Sequence, residues 1–167
     1  MLFAGDEPDL REMYAKLLAT TMDPARSKLG HPSFVGLIQQ LTSDEAKILR
    51  YLWSLGEGNC VWSGAQGKSE LRTELAELSL KAGTTVPENA DLYFENLLRL
   101  GVLKRFTEAE SEYHTRGTFD TGSPPKVSTT NYEVIEMTPY GMAFLKVCIA
   151  DNTPDNETDA DSDNSKK

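Results

Sequence analysis

The segment GAQGKS at residues 64–69 contains the glycine, lysine and hydroxyl groups that a phosphate-binding loop uses. Such a loop has the spacing G-x-x-x-x-G-K-[ST], because backbone N–H groups must surround the phosphates while the lysine reaches them. The G-K-S of residues 67–69 would need a glycine at position 62, which is Trp62. We therefore interpret residues 57–68 as a loop that leads into a helix capped by Ser69, and no nucleotide cofactor is expected.

The cysteines and histidines do not have the spacing of a metal site or a nucleophilic centre. Cys60 and Cys148 are far apart, and neither lies in a C-x2-C or H-x3-H pattern. The G-x-S-x-G signature of a hydrolase is missing from the sequence. His31 precedes Pro32, which favours a turn or capping role, and His114 lies in a polar segment where solvent exposure is expected. We expect no catalytic, cofactor-binding or metal-binding residues, and no enzymatic activity.

The charge of the chain is acidic and unevenly distributed. The 167 residues carry a formal net charge of −9, and the last segment, 151–167, holds 6 acidic and 2 basic residues. This segment has no large apolar side chain, so a disordered acidic tail is predicted. The chain before residue 151 is also acidic overall, which gives no support to non-specific binding of a polyanion such as DNA. No apolar run approaches the roughly 18–20 residues of a membrane span, so we expect a cytoplasmic protein without membrane contact.

Hydrophobic periodicity predicts mainly helices. An amphipathic helix over 7–24 would bury Leu10, Met13, Tyr14, Leu17 and Leu18. Thr42 and Glu45 form a capping box before another helix. Four further helices are predicted over 31–41, 69–83, 86–101 and 138–150, and two strands over 102–106 and 131–137. In the helix over 86–101, Leu92 is expected to belong to the core stripe.

This order predicts an α+β fold, mostly α, with a winged-helix-like core. The expected divisions are an N-terminal helical segment over 1–41 that packs on the core, the winged-helix-like domain over 42–150, and the tail over 151–167. Within the core, residues 107–130 lack helical periodicity and are expected to form a long wing loop, in which an added strand near residues 112–119 is the alternative.

Several short motifs in this order resemble the Abi-alpha family, a bacterial and phage group named for abortive infection. The motifs extend over about residues 9–149, and their order and spacing carry the resemblance. They are MYAKLLATTMDP, the His31–Phe34 turn, the Leu41–Leu49 helix start, the Asn96–Gly101 helix end and the Glu136–Phe144 strand-to-helix junction.

The resemblance implies a part in phage defence and provides no catalytic residues. Members of the family are usually longer, with another helical segment before this region. This chain either lacks that segment or is a piece of a longer protein.

The helix over 86–101 takes the place of the DNA-reading helix of a winged-helix domain. It carries Glu88, Asp91 and Glu95, and each carboxylate that faces a phosphate would add repulsion of about 1 kcal/mol. Base contacts usually come from the N-terminal part of such a helix, which here is acidic. The residue types that suit a partner or nucleic acid are Arg99, Lys104, Arg105, Arg116 and Lys126.

Two functions therefore stay open. The first is a non-enzymatic regulatory protein that works through protein contacts, with a homodimer as one form of that contact. An aromatic hairpin surface made by Phe106, Tyr113, Phe119 and Tyr132 would suit it. The alternative is a DNA-binding regulator that uses the basic hairpin residues, although Glu108 and its acidic neighbours offset them.

Overall fold

The computed structural model describes residues 7–56, 61–65, 68–114 and 126–150. These form an α+β fold that is mostly helical, as predicted. The elements in chain order are α1 (Pro8–Met22), α2 (Ser33–Ile38), α3 (Ser43–Ser54), β1 (Val61–Ala65), α4 (Lys68–Lys81), α5 (Ala90–Arg99), β2 (Leu103–His114), β3 (Lys126–Met137) and α6 (Pro139–Cys148). Single 3₁₀ turns at Ser27–Leu29 and Pro87–Asn89 precede α2 and α5.

The elements from α3 to β3 form the part of the chain for which the sequence predicts a winged-helix-like core. A first helix, a short strand and two further helices lead into a hairpin, and the antiparallel sheet has the order β1-β3-β2. Strands β2 and β3 pair from Leu103 opposite Met137 to His114 opposite Lys126. The hairpin therefore starts directly after α5, which fixes the position of that helix relative to the sheet.

Two predicted loops were wrong in their extent. Residues 61–65 of the expected loop form β1, which pairs with β3 more than 65 residues later, so the local sequence contained no sign of it. The wing loop expected over 107–130 is largely strand, because β2 extends to His114 and β3 starts at Lys126. Much of this hairpin is polar on both faces, so apolar alternation could not reveal it. Residues 115–125 and the predicted tail lie outside the described residues.

The predicted helix ends are confirmed by their caps. Thr42 Oγ1 accepts a hydrogen bond from Glu45 N at 3.2 Å, and Glu45 Oε2 accepts one from Thr42 N at 2.8 Å. Gly101 ends α5 with φ of +71°, a left-handed conformation that favours glycine. Thr138 caps α6 by accepting from Gly141 N, with Pro139 in the first turn.

One continuous core joins the N-terminal helices α1 and α2 to the elements from α3 to α6. Leu10, Met13 and Leu17 of α1 are buried in this core. Lys16 Nζ also donates to the Ile149 carbonyl at 2.6 Å, which ties α1 to the end of α6. The described N-terminal helices thus share their apolar surface with the rest of the chain.

Two leucines that the periodicity assigned to buried stripes are exposed. Leu18 of α1 is 60% exposed and Leu92 of α5 is 67% exposed. In each helix the buried face is narrower than predicted, because one side of the helix faces solvent rather than a second layer.

Candidate interface on helix five and the hairpin

Helix α5 is held in place by a buried carboxylate from the first turn of α3. Asp44 accepts hydrogen bonds from Tyr93 OH at 2.9 Å, Thr85 N at 2.9 Å and Lys47 Nζ at 3.0 Å. Burial raises the pKa of Asp44, but these hydrogen bonds outweigh it and hold the pKa at about 2. Asp44 therefore stays charged and fixes the start of α5 against α3.

Arg99, one of the predicted contact residues, is part of a second network at the other end of α5. Its guanidinium donates to Asn96 Oδ1 at 2.7 and 3.0 Å and to Gln40 Oε1 at 3.4 Å. Asn96 Nδ2 in turn donates to Glu45 Oε1 at 2.8 Å. Because this network connects Arg99 to α2 and α3, a phosphate or base would have to compete with bonds already made.

The hairpin cations Lys104 and Arg105 are also paired with carboxylates of the same chain. Lys104 Nζ lies 2.9 Å from Glu136 Oε2 on β3, and Arg105 Nη1 lies 3.0 Å from Glu95 Oε1 on α5. Adjacent residues of a strand point to opposite faces of the sheet. The two side chains therefore do not form the single basic edge that the sequence suggested.

Of the other two predicted contact residues, the structure describes the backbone of Lys126. Lys126 opens β3, where its backbone pairs with His114. Arg116 lies outside the described residues. Of the five predicted contact residues, the described structure places Arg99 and Arg105 near the acidic helix and gives both of them partners within the chain.

The outward side of α5 is acidic around one exposed leucine. Glu88 and Glu95 are exposed, Asp91 is partly exposed, and Leu92 lies between them at spacings that put all four on neighbouring turns. We call this set, together with Arg99, Lys104 and Arg105, the α5–hairpin surface. The set holds three acidic and three basic side chains, and two of its acids, Asp91 and Glu95, are paired with Arg72 and Arg105.

A groove of about 520 Å³ borders this surface between α4, α5 and the sheet. Its floor is apolar and its rim carries both signs of charge, with Arg72 paired to Asp91 and Arg105 paired to Glu95. The floor consists of Leu71, Leu75, Phe94, Leu98 and Ile135, and the rim of Arg72, Asp91, Glu95, Arg105 and Glu133. An apolar floor with a paired, charged rim is suited to contact with a protein side chain.

The described histidine and cysteine side chains are held by neighbouring residues, His31 in a turn and Cys148 in the core. His31 Nδ1 lies 2.7 Å from Ser33 Oγ and accepts from Ser33 N, while Ser33 Oγ contacts Tyr140 OH at 2.9 Å. The His31 ring packs on Phe34, which fits the predicted turn role. Burial raises the pKa of the Cys148 thiol to about 12, which leaves it a poor nucleophile.

The described ranges of the chain hold neither a candidate metal cluster nor a helix that could span a membrane. Within them, His, Cys, Asp and Glu side chains form no cluster of three or more that could hold a metal ion. Over the same ranges, none of the helices combines the length and apolarity that crossing a bilayer requires.

Fold and surface together describe an α+β, mostly helical domain in which Glu95 of helix α5 is paired with the hairpin cation Arg105. Residues 1–148 match the family model of abortive infection alpha, and the chain therefore belongs to this family. No curated protein and no solved structure matches the chain.

The motifs that carried the family resemblance meet one another in the fold. The His31–Phe34 turn contacts α6, where the Phe34 and Phe144 rings lie 5.5 Å apart. The α5 end contacts the α6 start, since Thr138 Oγ1 donates to the Gly101 carbonyl at 2.6 Å. A side chain on Gly141 would collide with the Val102 carbonyl. These motifs are explained by packing, and they bring no reactive constellation together.

Sequence reasoning missed the residues that position this surface. The sequence shows Asp44 only as part of a capped helix start, because its partners Thr85 and Tyr93 are more than 40 residues away. No local pattern announces such a pairing. The exposure of Leu92 could have been suspected, because Glu88 and Glu95 lie on the same helical stripe.

Proposed function

We propose that this chain acts in phage defence without catalysis, by protein contacts through the α5–hairpin surface. The partner that fits best is a protein that presents basic side chains around an apolar one. The observation that carries this proposal is the exposed Leu92 between Glu88, Asp91 and Glu95, beside a groove with an apolar floor. Charged rims select a partner by sign, and a central apolar side chain supplies contact area.

The alternative, a DNA-binding regulator that uses the hairpin, has less support. Lys104 and Arg105 are neutralised by Glu136 and Glu95, and Arg99 is bonded to Asn96. Affinity for DNA arises mainly from Lys and Arg that neutralise phosphates. Glu88, exposed on the outer side of the turn before α5, would add repulsion to that deficit.

Plating of phage on cells that express the chain tests the proposal. Reversing the charges with Glu88→Lys and Glu95→Lys should abolish protection, because the surface would then repel a basic partner. Glu77→Lys is the matched control, since Glu77 is exposed on α4 and does not line the groove. The control should protect as well as the wild type.

Each variant must first be shown to be folded, by circular dichroism and thermal melting of the purified chain. Full protection by a folded Glu88→Lys, Glu95→Lys variant would contradict the proposal. Loss of protection in the Glu77→Lys control as well would show that general acidity, and not this surface, is what matters.

A further inference from the structure

We propose that two copies of this chain associate through the outward faces of their α1 helices, packed antiparallel about a two-fold axis. This contact lies on a different element from the α5–hairpin surface and does not rest on the function proposed above. The partner in this contact is a second copy of the chain, so the product is a homodimer.

The outward face of α1 is apolar where a surface helix is usually charged. The buried stripe includes Met13, Leu17 and Thr20. At 100° per residue, the opposite side of the helix holds Arg11, Ala15, Leu18 and Met22, all exposed, and we call these four residues the α1 outward stripe. Leu18 is 60% and Met22 is 80% exposed, so the helix is apolar on two opposite sides.

The spacing of this stripe is self-complementary. Its members are separated by four, three and four residues, which reads the same in both directions along the helix. An antiparallel second copy therefore places Ala15 opposite Leu18 of the other copy, and Arg11 opposite Met22 of the other copy. In the two central layers a small residue, Ala15, thus faces a large one, Leu18, which lets the two helices pack closely there. The same patch serves both copies, as a two-fold interface requires.

The charges at the two ends of the stripe also match. Arg11 lies near the start of α1, and Asp23 follows its last residue. In the antiparallel arrangement, the guanidinium of Arg11 approaches the Asp23 carboxylate of the other copy, and the symmetry repeats this pair. A parallel arrangement would instead bring the two Arg11 side chains together. The charges thus favour an antiparallel second copy as the occupant.

Helix α2 runs alongside α1 and carries a further exposed apolar side chain. Gly30 lies against Thr21, because a side chain at Gly30 would collide with the Thr21 methyl group. Gln39 donates to Tyr14, one turn before Leu18. The chain from Gly30 to Gln39 therefore runs antiparallel to α1, and its Val35 is 44% exposed. A contact between single helices is small beside the roughly 1,200–2,000 Å² that specific interfaces bury, so we expect weak association with a Kd on the order of tens of micromolar.

Sedimentation velocity of the purified chain from about 1 to about 200 µM, a range that brackets this affinity, tests the proposal. The wild type should shift from monomer to dimer. Leu18→Asp should weaken the association at least tenfold, because the carboxylate is buried twice in the symmetric contact. Leu80→Asp is the matched control, since Leu80 is 67% exposed on α4 and outside the patch. It should dimerise like the wild type.

Mixing two charge variants tests the orientation. Arg11→Glu and Asp23→Arg should each dimerise more weakly than the wild type, since each brings like charges together. A mixture of the two should form a mixed dimer in which both charge pairs are restored. Asp23 also accepts from Ala25 N at 2.9 Å, so folding of its variant is checked by circular dichroism. If that variant fails to fold, Met22→Asp replaces it and should weaken association as Leu18→Asp does.

A wild type that stays monomeric over the whole range would overturn the proposal, whatever else binds the stripe. Dimerisation that Leu18→Asp does not weaken would place the contact elsewhere and would equally overturn it. Loss of phage protection in the Glu88→Lys, Glu95→Lys variant with an unchanged dimer would leave this inference intact, so the two proposals fail independently.

Discussion

The outward stripes of α1 and α5 have the same spacing and opposite chemistry. In α1 the stripe is Arg11, Ala15, Leu18 and Met22, and in α5 with its preceding turn it is Glu88, Leu92, Glu95 and Arg99. An antiparallel copy of the α5 stripe would place Glu88 opposite Arg99, but its two central layers would each bring the apolar Leu92 against the carboxylate of Glu95, so the centre of that stripe is poorly made to meet itself. The comparison teaches that the α1 stripe suits a second copy, whereas the α5 stripe suits a partner of opposite charge.

The two helices also differ in what holds them. Helix α1 is held by apolar side chains such as Met13 and Leu17 and by partly exposed ion pairs with Arg50 of α3, whereas the polar ties of α5 are made to the buried carboxylates Asp44 and Glu45. Buried carboxylates with several donors fix direction more strictly than apolar contact does. The α5–hairpin surface is thus built on a rigid support, which favours selective recognition.

The largest expected effect separates the two sides of α1. Leu17→Ala should lower the free energy of unfolding by about 2–5 kcal/mol, because Leu17 is 3% exposed and its loss leaves a cavity. Leu18→Ala, one residue further on, should change it by less than about 0.5 kcal/mol in the monomer. Chemical denaturation at low micromolar concentration measures both. Equal losses would mean that Leu18 is buried and that the outward stripe does not exist.

The next effect concerns the support of α5. Asp44→Ala should cost about 2–4 kcal/mol, because it leaves Tyr93 OH, Thr85 N and Lys47 without their acceptor. Asp91→Ala is the control: it removes an exposed carboxylate paired with Arg72 and should cost about 0–1 kcal/mol. Denaturation midpoints compare the two variants. Similar costs would contradict the buried network.

The same residue predicts a pH dependence. The pKa of Asp44 is lowered from 3.8 to about 2 in the folded chain, so its stabilisation is complete above pH 4 and is lost as the pH falls towards 2. This contribution should amount to about 1–2 kcal/mol. Asp44→Asn should be less stable than the wild type at pH 7, and the difference should shrink between pH 4 and pH 2. A constant difference over that range would show that the carboxylate charge is not involved.

Local sequence signals predicted most of the helices, and tertiary pairing decided the rest. Helix α3 could be predicted because Thr42 and Glu45 form its cap within four residues. Strand β1 could not, since its partners on β3 lie far along the chain. The candidate contact residues have only their positive charge in common in the sequence, and that charge does not show that Arg105 is paired with Glu95. Ion pairing is a property of the fold, so the same sequence suggested a basic edge that the fold neutralises.

The central claim is that the α5–hairpin surface is unsuited to nucleic acid and serves protein contact. Fluorescence anisotropy of a labelled duplex DNA, titrated with the chain at about 50 and about 200 mM salt, tests it most directly. The account predicts no binding at either salt concentration up to tens of micromolar chain. Binding that weakens steeply with salt, and that the double variant Lys104→Glu, Arg105→Glu abolishes, would contradict the account.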